Sequence, residues 1–364
     1  MNLNQTCNAF WGGGTVNFYR SGGGCRNTGE IAAVFDHEWG HGMDDNDSNG
    51  QLSNSSEGYA DIAANYRLEA SCVGHGFFLP PAGACGLTAD GTGRNVDEDQ
   101  TAGVHCATDC SGVRDSDWAK HNPNTPDTAL GFVCNSCLQS SGPCGRQVHC
   151  AAAPERQMAW DLVARDLTAA PFNMNSETAF ITGNRLFYLG SGNIGLWYSC
   201  TCGVSSDGCG AASGYMQWLA ADDDNGNVNN GTPHMTAIHA AYNRHGIACN
   251  NPAPVNSGCA GGPTGAPNVT LQVAAGKVRV KWTSVPGATG YWVYRSDGHA
   301  GCNFGKTKIA DVTGLSFDDK NLLAGRQYYY NVVAHGASQS CFGPASNCAT
   351  GTPTLDTADE VAEP

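Results

Sequence analysis

The chain has 364 residues, a length that predicts two or three domains, each large enough for its own hydrophobic core. Its 33 Asp and Glu outnumber its 19 Lys and Arg to give a formal charge of −14, which disfavours binding to nucleic acid or to an anionic membrane surface. No stretch of 18 consecutive apolar residues occurs in the sequence, so no membrane insertion is expected.

Eighteen cysteines are spread along the whole chain, which favours a disulfide framework over a single metal cluster. The pairs Cys106/Cys110 and Cys134/Cys137 have the spacing of a four-cysteine zinc site, but further cysteines follow closely and disulfides are favoured there too. Because disulfides persist outside the reducing cytosol, the sequence predicts a secreted, extracellular protein. The first residues lack the basic and apolar stretches of a signal peptide, so we expect a processed form or an internal piece of a longer precursor.

The first predicted helix covers residues 27–43 and contains the main chemical motif. Asn27 with Glu30 three residues later has the pattern of a capping box. The helix then carries His37-Glu38-Trp39-Gly40-His41. Residues four apart share a helix face, so His37 and His41 can bind one zinc ion while Glu38 meets a metal-activated water. Two exposed histidines on a polar helix are the alternative, disfavoured because the helix has apolar residues to bury.

The second predicted helix covers residues 55–70, with Ser55 or Ser56 as its cap, and supplies a candidate third ligand. Catalytic zinc needs three protein ligands and one open position. Glu57 would bind the metal, and Asp61 one turn later would accept a hydrogen bond from the far nitrogen of His37 or His41. A carboxylate favoured by the helix dipole is the alternative interpretation of Glu57.

Asp47 is a competing third ligand. It lies six residues after His41, as the third ligand of a metzincin would. The metzincin pattern also requires glycine at position 44, which is Asp44 in this chain.

The middle of the chain is predicted to be less regular. Residues 72–150 are rich in cysteine and predict disulfide-pinned loops, followed by helices from Pro154 to Leu167 and from Pro233, with Thr232 as cap, to about His245. Asp222, Asp223 and Asp224 precede several asparagines, a concentration of oxygen ligands that suits Ca²⁺. Their spacing does not fit an EF-hand, and a solvated acidic turn is an equal alternative.

The composition changes near residue 250. Proline and glycine in residues 251–263 predict a linker between a domain at 1–250 and a second one at 264–353, which is followed by an acidic tail at 354–364. Short β-branched and aromatic segments predict strands of a small β-sandwich, at Val269–Gln272, Lys277–Trp282, Tyr291–Arg295 and Tyr328–Ala334.

The second domain resembles a fibronectin type III domain. The resemblance is carried by Trp282 and by the pattern Leu322-x-x-Gly325-x-x-Tyr328-x-Tyr330-x-Val332. It implies a spacing or adhesion role, including contact with matrix or polysaccharide.

The first domain resembles the gluzincins, zinc endopeptidases of the thermolysin and fungalysin type. The resemblance is carried by the two histidines around Glu38 and by Glu57-x-x-x-Asp61. Asn8-Ala9-Phe10-Trp11 is similar to the edge strand along which thermolysin-like enzymes lay their substrate. The resemblance implies that the Asn8 side chain and the Ala9 main chain bind substrate backbone.

Two further residues take roles from this resemblance. Val148-His149, with Trp160 eleven residues after the histidine, resembles the segment with the transition-state histidine, which implies that His149 stabilises the oxyanion. A structural histidine is the alternative, and His234 is a reserve candidate. Arg114 resembles the arginine that binds a substrate carbonyl, although a surface salt bridge is an equal alternative.

The chain departs from the gluzincin pattern in four ways. No tyrosine lies between His41 and Glu57, and no aspartate lies shortly before His149. The cysteine-rich middle is foreign to thermolysin. Only a short segment precedes His37, where these families have a sizeable domain, so the catalytic domain is expected to lack its N-terminal part.

Taken together, the sequence predicts an α+β protein with a thermolysin-like zincin catalytic domain, mainly helical with disulfide-rich loops, plus a C-terminal all-β fibronectin type III-like sandwich. The expected function is secreted zinc-dependent hydrolysis of internal peptide bonds in polypeptides, with Glu38 as general base and one catalytic Zn²⁺. The alternative is a catalytically silent, zinc-stabilised extracellular binding or adhesion protein. The presence of Glu38 favours the enzyme, because a structural zinc site needs no general base.

Overall fold

The computed structural model describes residues 2–52, 56–78, 110, 112–117, 148–198, 208–297, 301–303 and 306–355. The cysteines Cys106, Cys134 and Cys137 and almost all of the acidic tail lie outside these ranges, as does the helix cap suggested at Ser55.

The chain opens with a three-stranded sheet in the order β1-β3-β2, formed by β1 (Asn2–Leu3), β2 (Ala9–Gly12) and β3 (Thr15–Tyr19). β2 and β3 are antiparallel and joined by Gly13 and Gly14, whose φ angles of 60° and 76° suit a two-residue hairpin turn. β2 lies at an edge of the sheet, so one side of its backbone is not paired with another strand of this sheet.

Helix α1 (Ala32–Asn46) packs closely against helix α2 (Ser56–Leu68). A helix is present where residues 27–43 predict one, but it begins and ends later than predicted. Asn27 instead caps a separate 3-10 turn at Thr28–Glu30, where its side chain accepts a hydrogen bond from the Gly29 amide. Glycine at position 40 permits the close packing, since a Cβ there would lie 2.7 Å from the Ala60 Cα. This contact brings the histidine motif on α1 against the start of α2.

The described part of the cysteine-rich segment includes a short ladder of β4 (Cys72–Val73) and β5 (Arg114–Asp115). A disulfide between Cys72 and Cys110 joins its two sides. The ladder fixes residue 114 beside α2 although the two are far apart in sequence.

Among the described residues, five further α-helices build the body of the first domain: α3 (Val148–Ala151), α4 (Ala153–Asp161), α5 (Ser176–Gly190), α6 (Gly214–Asp222) and α7 (Met235–Arg244). The predicted helix at 154–167 corresponds to α4 and a π-helical turn at Leu162–Asp166, and the one from 233 corresponds to α7. Sequence analysis did not identify α5 and α6, although Asn175 and Ser213 cap them by side-chain hydrogen bonds. The helices share one core whose largest fully buried side chains include Tyr66, Phe187, Trp197, Trp218 and Tyr242.

The predicted β-sandwich is confirmed. Its strands are β6 (Val269–Ala274), β7 (Lys277–Trp282), β8 (Gly290–Asp297), β9 (Thr307–Val312), β10 (Ser316–Lys320), β11 (Tyr328–His335) and β12 (Ala349–Gly351). They form two sheets, in the orders β10-β7-β6 and β12-β11-β8-β9. The hydroxyl of Tyr328 accepts a hydrogen bond from the Leu323 amide at 3.0 Å, a tyrosine corner of the kind that sandwiches use at a strand start.

The sandwich packs against α5 of the helical domain. Trp292 of β8 is fully buried there together with Val333, Ala345 and Ile181. The Ala345 amide donates to the Thr178 hydroxyl at 2.8 Å across the same contact. The α+β organisation into a helical domain and an all-β sandwich is thus present, with the two in direct contact.

Disulfides join Cys7 to Cys25, Cys209 to Cys249, Cys259 to Cys341 and Cys302 to Cys348, in addition to the ladder disulfide. Such a framework is compatible with a secreted protein. Within the described ranges, no helix combines the length and the apolar character needed to span a membrane.

Candidate metal centre

A cleft of about 530 Å³ lies between the edge strand β2, helices α1 and α2 and the β4/β5 ladder. It is lined by all the residues predicted to bind the metal, to bind substrate or to act in catalysis, namely Asn8, Ala9, His37, Glu38, His41, Glu57, Arg114 and His149.

Three potential ligand atoms converge at the floor of this cleft. His37 Nε2 lies 3.2 Å from His41 Nε2 and 3.2 Å from Glu57 Oε2, and His41 Nε2 lies 3.6 Å from the same carboxylate oxygen. A tetrahedral zinc ion with bonds of ~2.0 to 2.1 Å holds its ligand atoms ~3.3 to 3.4 Å apart. Glu57 Oε2 is buried and has no hydrogen-bond partner among the described residues. The donor types and their separations therefore fit zinc.

His37 is oriented by Asp61, as predicted for one of the two histidines. His37 Nδ1 lies 2.8 Å from Asp61 Oδ1, which places the other ring nitrogen, Nε2, on the side of Glu57. Burial alone would lower the pKa of His37, but the contact with Asp61 outweighs it and raises the pKa to about 10. Burial would raise the pKa of Asp61, yet Arg114 and His37 hold it well below its usual range.

Arg114 is buried and binds Asp61 with two hydrogen bonds, from Nε at 2.7 Å and from Nη2 at 2.8 Å. The alternative of a surface salt bridge is therefore wrong. Arg114 also lines the cleft, and its Nη2 lies 3.8 Å from Glu57 Oε2. Arg114 thus neutralises the buried carboxylate of Asp61 and also lines the cleft.

His41 is oriented by a relay that sequence analysis missed. His41 Nδ1 lies 3.1 Å from the Ser56 hydroxyl, which donates to Asp44 Oδ2 at 2.6 Å. Because the single hydroxyl hydrogen goes to Asp44, Ser56 accepts from His41 and leaves His41 Nε2 as a ligand atom. Burial raises the pKa of Asp44 to about 6, against the opposing effect of the Ser56 and Leu52 hydrogen bonds. The feature of the sequence that could have indicated this relay is the position of Ser56 directly before Glu57.

Asp47 does not join the ligand group. Helix α1 continues to Asn46, and Asp47 ends it with its carboxylate accepting from the Asn49 amide at 3.0 Å. Without a glycine at position 44 the helix does not bend back toward the histidines, so the metzincin arrangement is not formed.

Glu38 and His149 face the same cleft as the three ligand atoms. Glu38 is only 6% exposed. His149 lies on the short helix α3, and its Nε2 is 3.4 Å from Glu57 Oε2. Burial would raise the pKa of Glu57, but His149, His37 and His41 lower it well below its usual range. Arg156 donates to the His149 carbonyl at 2.6 Å and so fixes this turn against α4.

The predicted calcium ligands do not converge. Asp222 is buried and accepts hydrogen bonds from the Thr232 hydroxyl, the His234 amide and His234 Nδ1, at 2.5, 2.6 and 2.7 Å. Asp223 accepts from the Asn225 amide and Asp224 from the Cys259 amide, so the three carboxylates serve different partners.

His234 lies outside the cleft, packed between Phe172 and Phe342, and is therefore not placed to act as the oxyanion histidine. Thr232, predicted as a side-chain cap, instead donates its hydroxyl hydrogen to Asp222.

Comparisons with known proteins cover only parts of the chain. No family model matches it. An amylopullulanase of Thermoanaerobacterium saccharolyticum is 42% identical over 68 residues, which is 18% of this chain and 5% of that protein. Fibronectin type III domains are found among the similar solved structures. The domain of human fibronectin type III domain containing protein 3 is 19% identical with a TM-score of 0.23, and the fn3 domain of human contactin 1 is 20% identical with a TM-score of 0.25. These two matches cover 29% and 30% of this chain, and 100% and 93% of the respective structures.

Proposed function

We propose that the chain is a secreted zinc-dependent endopeptidase of the gluzincin type. The observation that carries the proposal is the convergence of His37 Nε2, His41 Nε2 and Glu57 Oε2 within 3.2 to 3.6 Å, with Glu38 in the same cleft. A purely structural zinc site would not need a carboxylate beside the open side of its ligands.

His37, His41 and Glu57 would hold the ion, and a bound zinc supplies Lewis acidity that polarises a carbonyl and lowers the pKa of water toward ~7. Glu38 accepts the proton of the attacking water and passes it to the leaving amine. His149, which faces the cleft, donates a hydrogen bond to the oxyanion that develops on the substrate carbonyl. No serine or cysteine nucleophile takes part.

The edge strand β2 supplies the substrate track. Asn8 and Ala9 line the cleft, and one side of β2 is not paired with any described strand, so an extended peptide could add there as a further strand. A peptide bound in this way extends past the metal centre in both directions, which suits cleavage of internal peptide bonds.

The test is hydrolysis of an internally quenched peptide library by the parent and by Glu38→Gln. The variant should bind zinc as the parent does and lose hydrolysis, while Glu30→Gln, on the exposed turn before α1, should keep it. A chelator should abolish the parent's activity. An active Glu38→Gln would contradict the mechanism, and no hydrolysis by a zinc-loaded parent would favour the silent binding protein.

A further inference from the structure

A second cleft, of about 400 Å³, lies where the helical domain meets the sandwich. Its walls come from α2, α5, β8 and the start of β9, so neither domain forms it alone. Four cationic side chains line it: Arg67, Arg185, Lys306 and Lys308. They gather there in a chain whose formal charge is −14. We call this second cleft the junction cleft.

Three of these cations form no ion pair with a carboxylate of the described residues. Lys306 lies 3.7 Å from Glu69 and 3.4 Å from Glu177, whereas Arg67, Arg185 and Lys308 form no ion pair within the described part of the chain. Asp222 acts on Arg185 through space, but its oxygens are engaged by Thr232 and His234. Asp36 likewise acts on Arg67 through space. The described lining of the junction cleft itself holds four cationic side chains and no carboxylate.

Arg185 is held in a fixed orientation. Its guanidinium lies 4.6 Å from the ring centre of Trp292 and 5.7 Å from that of Phe342. The flat face of the group is thus covered by aromatic rings, and its N–H groups have no acceptor among the described residues. A rigid, partly buried guanidinium with unused donors suits a bidentate carboxylate.

The surroundings favour a peptide over a sugar. Lys and Arg only donate hydrogen bonds, so they match a group that only accepts, whereas sugar hydroxyls also need acceptors. Among the described lining residues no carboxylate occurs. Tyr188 and Leu189 at this cleft are 52% and 53% exposed and offer apolar surface for neighbouring side chains.

We propose that the junction cleft binds the carboxylates of acidic polypeptide segments and so recruits acidic polypeptides as substrates. The recruitment step rests on the endopeptidase activity proposed above, whereas binding itself does not. The carboxylates come from Asp and Glu side chains or from a free C-terminus.

The test is binding of fluorescent peptides to the Glu38→Gln form, measured by anisotropy at low and high salt. The probes are a Glu- and Leu-containing peptide with an amidated C-terminus, its Gln counterpart, and that Gln peptide with a free C-terminus. Lys308→Gln should weaken binding of the acidic peptide about threefold and Arg185→Gln about tenfold. Lys320→Gln, which removes an exposed charge from the far sheet, is the matched control. Arg185 and Lys308 both lie over the ring of Trp292, at 4.6 and 5.5 Å, but Lys308 is exposed. Lys308→Gln therefore keeps the test valid if Arg185→Gln does not fold.

Binding of the acidic amidated peptide identifies side-chain carboxylates as the source, and binding of the free-acid Gln peptide identifies the C-terminus. Equal binding of the amidated Gln peptide, or equal weakening by Lys320→Gln, would overturn the inference. The inference would also be overturned if polygalacturonate bound in place of the acidic peptide and if Lys308→Gln or Arg185→Gln weakened that binding.

Kinetic measurements distinguish failure of the carboxylate-binding inference from failure of the proposed endopeptidase activity. The enzyme that retains Glu38 should cleave a quenched peptide with a distant acidic tail at lower KM than the Gln-tailed peptide, and Lys308→Gln should remove that difference without changing kcat. Hydrolysis without any effect of the acidic tail or of Lys308 contradicts the inference alone. Carboxylate binding without hydrolysis contradicts the proposed enzyme alone.

Discussion

Asp61 accepts a hydrogen bond from His37 Nδ1 at 2.8 Å while lying fully buried behind the candidate metal centre. This contact fixes the ring orientation, so that Nε2 would be the atom that binds a metal. A buried carboxylate is stable there because Arg114 supplies a bidentate cation on its other side.

Asp61→Asn should lower zinc affinity tenfold to 100-fold, roughly the range for loss of a partner that orients a metal ligand. The reason is that the amide is neutral and no longer favours His37 with its proton on Nδ1. Competition with a fluorescent chelator measures the affinity. Asp318→Asn in the sandwich is the control, and an unchanged zinc affinity of a folded Asp61→Asn variant would remove Asp61 from the site.

Glu57→Ala should lose most of its bound zinc, because only two imidazole ligands remain. Asp47→Ala should keep it, since Asp47 ends α1 outside the cleft. Metal analysis after gel filtration gives the stoichiometry of each variant. The reverse pattern would indicate a metzincin-type ligand set.

Gly40→Ala should destabilise the fold by about 1 to 3 kcal/mol, the range for overpacking a closely packed contact. The added Cβ would lie 2.7 Å from Ala60 Cα, so α1 and α2 must separate and the ligand atoms with them. Urea unfolding measures the stability, and zinc binding should weaken in parallel. Gly314→Ala, where the Cβ meets no atom within 4 Å, should change neither quantity.

Glu69 should make stability depend on pH. One ammonium, Lys306, faces both Glu69 and Glu177, and burial, opposed by Lys306 and reinforced by Glu177, raises the pKa of Glu69 to about 7. Between the unfolded value of 4.5 and about 7 the native carboxyl holds a proton that the unfolded chain has lost. The free energy of unfolding therefore falls as pH rises through this window.

Glu69→Gln should remove this pH-dependent loss of stability. The free energy of unfolding of the variant minus that of the parent should therefore rise by about 2 kcal/mol between pH 5 and pH 8. Thermal unfolding across that range measures the difference, with Glu30→Gln as control. Parallel pH profiles of Glu69→Gln and the parent would show that Glu69 does not titrate in this way.

The sequence made His37, Glu38, His41 and Glu57 recognisable because their relation is local: helical spacing within α1 and a position at the start of α2. The Ser56–Asp44 relay and the role of Arg114 depend on how α1, α2 and the β4/β5 ladder pack, which no local spacing encodes. Arg114 and Asp61 are 53 residues apart in the chain. Helix α5 was missed for a related reason, since part of its surface is apolar to receive the sandwich through Ile181.

The disulfide between Cys259 and Cys341 has a consequence for how the molecule withstands cleavage of its backbone by peptidases. A cut anywhere between these two residues leaves both fragments covalently joined, so the sandwich stays attached to the helical domain under oxidising conditions. A cut in residues 251–258 has no such tether. For the first kind of cut, limited digestion should give one band on a gel run without reductant and two bands on a gel run with reductant.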